Sequence, residues 1–187
     1  MCSTLKTERL ELLPMTVAHV EAVMLERRDE LARALDAELP RGWPGRDVVA
    51  RAYSSIERIR TDPGVLWGDR LVIALDGPRR VVGSVVFFGA PDADGSVEIA
   101  YGIEPGSQRR GYAVEATRAC VAWAFEQPEV REITATTPPF HSASIRVLER
   151  LGMKRTGARD HELLGELMVW SVKRDSIAAP RQVSGFR

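Results

Sequence analysis

The segment from Ser96 to Ala116, SVEIAYGIEPGSQRRGYAVEA, constrains the fold more than any other part of the chain. Val97, Ile99, Tyr101 and Ile103 alternate with Glu98, Ala100 and Gly102, the period of a β-strand with two unlike faces. Pro105 and Gly106 break that strand. Gln108, Arg109, Arg110, Gly111, Tyr112 and Ala113 then open an amphipathic helix. Strand, basic glycine-containing loop and helix in this order present backbone N–H groups and the positive end of a helix dipole, a setting for a pyrophosphate. Gly111 permits close approach of a ligand to the backbone, and the two arginines bring positive charge. A basic surface loop ahead of an ordinary helix is the other reading. The segment lacks the Gly-Lys-Ser/Thr ending of a P-loop and the three glycines of a dinucleotide fingerprint.

The flanking pattern predicts a strand at Glu8–Met15, then a helix capped by Thr16 and running from Val17 toward Asp36. A second helix is expected from Asp47 through Ile59, after the break Leu39–Gly45. Strands follow at Arg70–Leu75 and Val81–Phe88, with Gly83 marking a bulge or a close approach. After the helix that starts past Gly111 and stops before Pro128, a strand is expected at Glu132–Thr136. A helix from His141–Ser144 to Gly152 comes next, then a hairpin of Met153–Gly157 with Leu167–Val172. Two strand–helix crossings among these elements imply a mixed sheet with helices on both faces.

The segment Gln108–Ala113 matches the Gln/Arg-x-x-Gly-x-Gly/Ala signature, with Gln108, Gly111 and Ala113 in its three positions. Thr137–Met153, TPPFHSASIRVLERLGM, is similar to the second signature of the same group, Asn-x-x-Ser followed by Val-Leu-x-x-Leu-Gly-Phe. Together they resemble the GNAT superfamily of N-acetyltransferases, in particular the branch of ribosomal-protein alanine N-acetyltransferases and many small-molecule N-acetyltransferases. Tyr112–Ala116, YAVEA, is also similar to that branch. His141 stands where the family usually has Asn, and Trp170 where Tyr is common. The resemblance covers about Thr7 to Lys173. It implies an α/β (α+β) fold with a mixed, mostly antiparallel central sheet of six to seven strands and helices on both faces. One domain is expected over residues 1–174, with 175–187 as a flexible tail.

The resemblance also implies transfer of an acetyl group from acetyl-CoA to a primary amine, of a protein N-terminus or a small molecule, in a ternary complex. A non-catalytic acyl-CoA-binding or sensory domain is the alternative. Arg109, Arg110, Gly111, Tyr112 and Ala113, with Gln108, are the expected phosphate-binding residues. Tyr101, Gly102 and Ile103 are expected to bind the cofactor's arm through their backbone, and His141 to contact that arm. Glu98 shares its strand face with the small residues Ala100 and Gly102 and is the candidate base; a salt-bridged or solvent-facing Glu is the plainer reading. Ser144 is the candidate donor to the leaving thiolate and a cofactor contact, against a first-turn serine serving the backbone. Glu115 is expected to favour the helix dipole or tie a neighbouring loop. Trp43, Trp67 and Tyr53 are weighed as an acceptor wall or as packing, with packing preferred.

Charge narrows the partners. Lys plus Arg and Asp plus Glu both number 26, so bulk electrostatic attraction to nucleic acid is not expected. Cys2 and Cys120 are too few and too distant for a disulfide framework or a zinc site, and no metal is expected. No apolar run suits a signal peptide or a membrane span, so a cytoplasmic protein is the expectation. Family members are often dimers, but no stripe in this sequence selects an interface.

Overall fold

The structure is a computed structural model describing residues 3–45, 48–49 and 67–177. Eight strands run in the hydrogen-bonded order β1-β2-β3-β4-β5-β6-β8-β7. They are β1 Leu5–Lys6, β2 Leu10–Pro14, β3 Asp69–Ala74, β4 Arg80–Phe87, β5 Ser96–Ile103, β6 Glu132–Thr137, β7 Lys154–His161 and β8 Gly165–Lys173. Every pairing is antiparallel except β5 with β6. The sheet is therefore mixed and mostly antiparallel, as expected, and the two-residue β1 takes it one strand past the expected count. The helices are α1 Val17–Met24, α2 Arg28–Leu35, α3 Tyr112–Glu126, α4 Ser142–Arg150 and the one-turn α5 Arg174–Ile177. The expected helix Asp47–Ile59 lies almost wholly outside the described residues. Among the described residues no helix is long and apolar enough to cross a membrane.

The chain divides into two compact units. The first comprises Met1–Ala90 and Ile99–Cys120, the second Pro91–Glu98 and Val121–Arg187. In the first, β3 is buried along its whole length. Leu71 and Ile73 pack with Val20 and Val23 of α1, Leu31 and Leu35 of α2, and Trp43. Each such side chain contributes about 1.5–3 kcal/mol by leaving water.

The single helix expected over Val17–Asp36 is two helices. Thr16 caps α1 as anticipated: its side chain accepts from the His19 N–H, and His19 Nδ1 accepts from the Thr16 N–H, both at 3.3 Å. The helix then stops at Glu26, whose φ is 55°. The Arg27 N–H bonds to the Ala22 carbonyl at 2.9 Å and the Glu26 N–H to that of Val23 at 3.3 Å, which is a Schellman stop. A glutamate occupies the left-handed position where glycine is the usual signal, so local pattern reads straight through it.

Gly83 meets both expectations placed on it. The β3–β4 register runs Val72↔Gly83 and then Ile73↔Val81, leaving Val82 as the bulged residue. A Cβ on Gly83 would stand 2.0 Å from the Gly102 carbonyl oxygen of β5.

Arg79 ties the start of β4 to β2 and α2. Its Nη2 donates to Glu11 at 2.8 Å and its Nε to the Asp36 carbonyl at 2.9 Å. The hydrogen bond from Arg79 holds the Glu11 carboxyl below its ordinary value of 4.5, against the opposing effect of burial. A depressed folded-state value stabilises the protein above the unfolded value, and the contribution is lost as pH falls through the folded one. Glu11→Gln is expected to cost roughly 1 kcal/mol at neutral pH and to make the acid limb of stability shallower, measured by urea unfolding at several pH values.

In the second unit, β8 lies between β6 and β7. The hairpin is longer than expected because every residue of β7 is exposed, so no apolar alternation marks its polar half. Arg174 begins α5, its Nε donating to the Val130 carbonyl at 2.9 Å. Asp175–Ile177, expected to open a loose tail, complete that turn.

Candidate functional site

The strand–loop–helix segment forms as anticipated. After β5, Pro105–Ser107 make a 3-10 turn capped by Glu104: its carboxylate accepts from the Gly106 N–H at 3.0 Å and from the Ser107 hydroxyl, and its carbonyl from the Ser107 N–H at 3.0 Å. Gln108 folds back, its Nε2 donating to the Ile103 carbonyl at 2.9 Å. Gln108 thus fastens the loop to the end of β5. Arg109 and Gly111 then take left-handed φ values of 61° and 85°. Alternation of left- and right-handed residues turns successive N–H groups to one side, the geometry of an anion nest. Among the described residues, no acceptor engages the N–H of Gly111, Tyr112 or Ala113, the residues that open α3. Arg109 and Arg110 are exposed beside them.

Behind this loop lies a network that local pattern did not reveal, apart from the expectation that Glu115 ties a neighbouring loop. Glu115 Oε1 accepts from the Thr7 hydroxyl at 2.6 Å and from the Arg9 N–H at 3.1 Å. Its Oε2 accepts from Arg9 Nε at 2.9 Å and Nη2 at 2.5 Å. Burial raises the Glu115 carboxyl's proton affinity, but the Thr7 and Arg9 hydrogen bonds outweigh it, and the group lies below its ordinary value. The Arg9 guanidinium also donates from Nη1 to the Arg110 carbonyl at 3.1 Å and lies 5.1 Å from the centre of the Tyr112 ring. Tyr112 is buried; its hydroxyl donates to Asp76, with oxygens at 2.6 and 2.7 Å. Burial, then the Asp76 carboxylate, raises the Tyr112 phenol above its ordinary value.

The first unit also holds a cavity of about 230 Å³, lined by Arg41, Trp43, Gly83, Ser84, Gly102 and Ile103 among others. Trp43 is 6% exposed, so it serves both as core and as cavity wall. Trp67 is a packing residue, its ring edge-on to Phe87 at 5.2 Å between centroids. Tyr53 lies outside the described residues. Cys120 is buried in α3, as its place on the apolar helix face suggested.

The second unit carries the other candidates. Glu98 is half-buried on β5 and is held by two groups: Thr136 Oγ1 of β6 donates to it at 2.9 Å, and Arg159 Nη2 of β7 reaches its two oxygens at 2.9 and 3.1 Å. The parallel pairing of β5 with β6 covers only Ser96–Glu98, and β5 continues to Ile103 paired with β4. Tyr101 and Ile103 are half-buried there, and Gly102 is exposed. His141 is the N-cap residue of α4 through its carbonyl, which accepts from the Ser144 N–H at 3.0 Å; its side chain makes no cap bond. Ser144 is half-buried in the first turn.

Comparison with known proteins gives one consistent result. A family model described as Acetyltransferase (GNAT) domain matches residues 9–154. The uncharacterized N-acetyltransferase YjdG of Bacillus subtilis (strain 168) is 28% identical over 148 residues, which cover 79% of this chain and 88% of that protein. Among solved structures, the ribosomal-protein-S5-alanine acetyltransferase of Vibrio fischeri aligns over 92% of this chain and 97% of its own, at 14% identity and TM-score 0.66. RimL, a ribosomal L7/L12 alpha-N-protein acetyltransferase in complex with coenzyme A, aligns over 91% and 98%, at 14% identity and TM-score 0.65.

Proposed function

Because the chain belongs to the GNAT acetyltransferase family, we propose that it transfers the acetyl group of acetyl-CoA to a primary amine, of a protein N-terminus or a small molecule, by direct attack in a ternary complex. The observation that carries this reading is the row of unengaged N–H groups at Gly111–Ala113, flanked by Arg109 and Arg110. It suits a diphosphate: the donors are neutral and fixed, the helix dipole has the right sign, and glycine leaves the approach open. The backbone of Tyr101–Ile103 is the proposed edge for the amide-bearing arm, with His141 as a further contact. Bound acetyl-CoA supplies an activated thioester. The acceptor nitrogen forms the new N–C bond as the C–S bond breaks. Glu98 takes the ammonium proton that frees the amine to attack, and the second proton lost from nitrogen reaches the departing sulfur through the Ser144 hydroxyl, which accepts one proton as it gives one. The cavity between Trp43 and Gly102 is the proposed acceptor pocket.

The Glu98–Arg159 ion pair favours the second reading, an acyl-CoA-binding domain without turnover. Both carboxylate oxygens face a guanidinium, so an arriving ammonium must displace it before Glu98 can take its proton. Glu98→Gln separates the two. With general-base catalysis, kcat at neutral pH falls by about 100-fold or more while acetyl-CoA binding is retained, as read by thiol release and calorimetry. Unchanged turnover in Glu98→Gln removes Glu98 as base. Acetyl-CoA binding without thiol release by the unaltered protein across a broad amine panel leaves the non-catalytic reading.

A further inference from the structure

Arg9 stands far from the loop in sequence, in the turn between β1 and β2, yet its guanidinium is bonded to that loop. Three of its N–H groups have named acceptors. Nε and Nη2 serve Glu115, and Nη1 serves the Arg110 carbonyl. The hydrogen bonds it donates to Glu115 raise the proton affinity of the guanidinium further, so it is always charged, but that charge is matched by the carboxylate it holds. Arg9 is therefore a poor source of net attraction for a phosphate, and its effect must be geometric.

The geometry is specific. In a trans peptide the carbonyl and the following N–H point in opposite directions. Arg9 draws the Arg110 carbonyl toward itself, which turns the Gly111 N–H the opposite way, and this is the first in the row of unengaged donors. The guanidinium also lies over the Tyr112 ring and 3.4 Å from the point where a Cβ on Gly111 would stand. It thus supports three consecutive residues, Arg110, Gly111 and Tyr112, from behind. Thr7 and the Arg9 backbone N–H hold Glu115 from the same turn. Each contact lies within the first compact unit.

We infer that Arg9 is a positioning residue for the diphosphate of acetyl-CoA: it orients the Arg110–Gly111 peptide so that the N–H row is preset before the cofactor arrives. The inference rests on the acetyl-CoA reading above. Presetting a donor row removes an ordering cost from binding and leaves the acetyl-transfer step alone. Its loss therefore appears in the KM and Kd for acetyl-CoA rather than in kcat.

The test compares the unaltered protein with Arg9→Lys, Arg9→Gln and Thr7→Val, measuring acetyl-CoA binding by calorimetry, kcat and KM by thiol release, and Tm. Arg9→Lys keeps the charge but loses the planar fork. Thr7→Val removes a Glu115 hydrogen bond from the same turn without touching the loop. Both Arg9 variants are expected to raise Kd and KM for acetyl-CoA by about 10-fold, with kcat within about threefold, whereas Thr7→Val lowers Tm with Kd unchanged. Rescue by Lys would mean that charge, not geometry, matters, and would overturn the inference. So would an unchanged Kd in both Arg9 variants, or a Kd rise in Thr7→Val that matches theirs at equal Tm loss. Failure of the unaltered protein to bind acetyl-CoA is a different result, which refutes the acetyl-CoA reading itself.

Discussion

Gly83→Val is expected to destabilise the protein by at least about 3 kcal/mol, because the new Cβ must displace backbone rather than a side chain. The Cβ position is 2.0 Å from the Gly102 carbonyl oxygen and 2.9 Å from Ile103 Cδ1. Gly83 is opposite Ile103 in the β4–β5 ladder and next to the bulged Val82, so the strand cannot shift without losing its register with both neighbours. A loss of that size lowers Tm by roughly 10 °C in a chain of this length, which thermal unfolding reads directly. Gly102→Ala is the informative contrast. The same two strands meet there, yet a Cβ on Gly102 has no atom within 4 Å, and Gly102 lines the cavity proposed for the acceptor. Its Tm is expected to stay within about 2 °C while KM for the acceptor rises several-fold. A stable Gly83→Val would show that β4 and β5 can separate at this point, contrary to the packing described.

Gly111→Val is expected to have the largest effect on cofactor binding. At φ 85° a β-branched residue is strained by about 1–2 kcal/mol, and its Cβ would stand 3.4 Å from the Arg9 guanidinium. Relief requires either the peptide to rotate or Arg9 to retreat. Both redirect the N–H row, and the added side chain also covers it. A fall in acetyl-CoA affinity of about 30-fold or more is expected by calorimetry, some 2 kcal/mol. Unchanged affinity would show that the diphosphate does not use this loop and would remove the main support for the proposed cofactor site.

The elements with alternating or helical burial were legible in the chain itself. β5 runs from Ser96 to Ile103, where apolar residues alternate in the sequence and burial alternates as far as Ile99, and α3 begins at Tyr112 because Arg109 and Gly111 take left-handed backbone just before it. What escaped reading has two physical origins. The stop at Glu26 uses a residue type that rarely adopts left-handed backbone, so no glycine announces it. Polar β7 carries no buried face, so period-two reasoning recovers only its start. The ion pairs Arg9–Glu115 and Arg159–Glu98 escaped for a third reason: they join residues remote in sequence, the first by the placing of α3 beside the β1–β2 turn and the second by the sheet order. The small strand neighbours of Glu98 make it a candidate for chemistry in the sequence, whereas the guanidinium that engages it belongs to the stretch where the pattern is faintest.

The position of β8 between β6 and β7 has a consequence for synthesis. β6 ends at Thr137, but its antiparallel partner is not complete until Lys173, after α4 and β7 have been made. At about 5–20 residues per second, the Glu132–Thr137 edge is made some seconds before the strand that covers its backbone groups on that side. Its sequence, EITATT, alternates polar and apolar residues over its first four positions and carries one charge, at its first position. An uncovered strand edge of this kind is the general template for strand addition. The last strand therefore does more than complete the second unit: it closes the period in which a newly made molecule is open to misassembly.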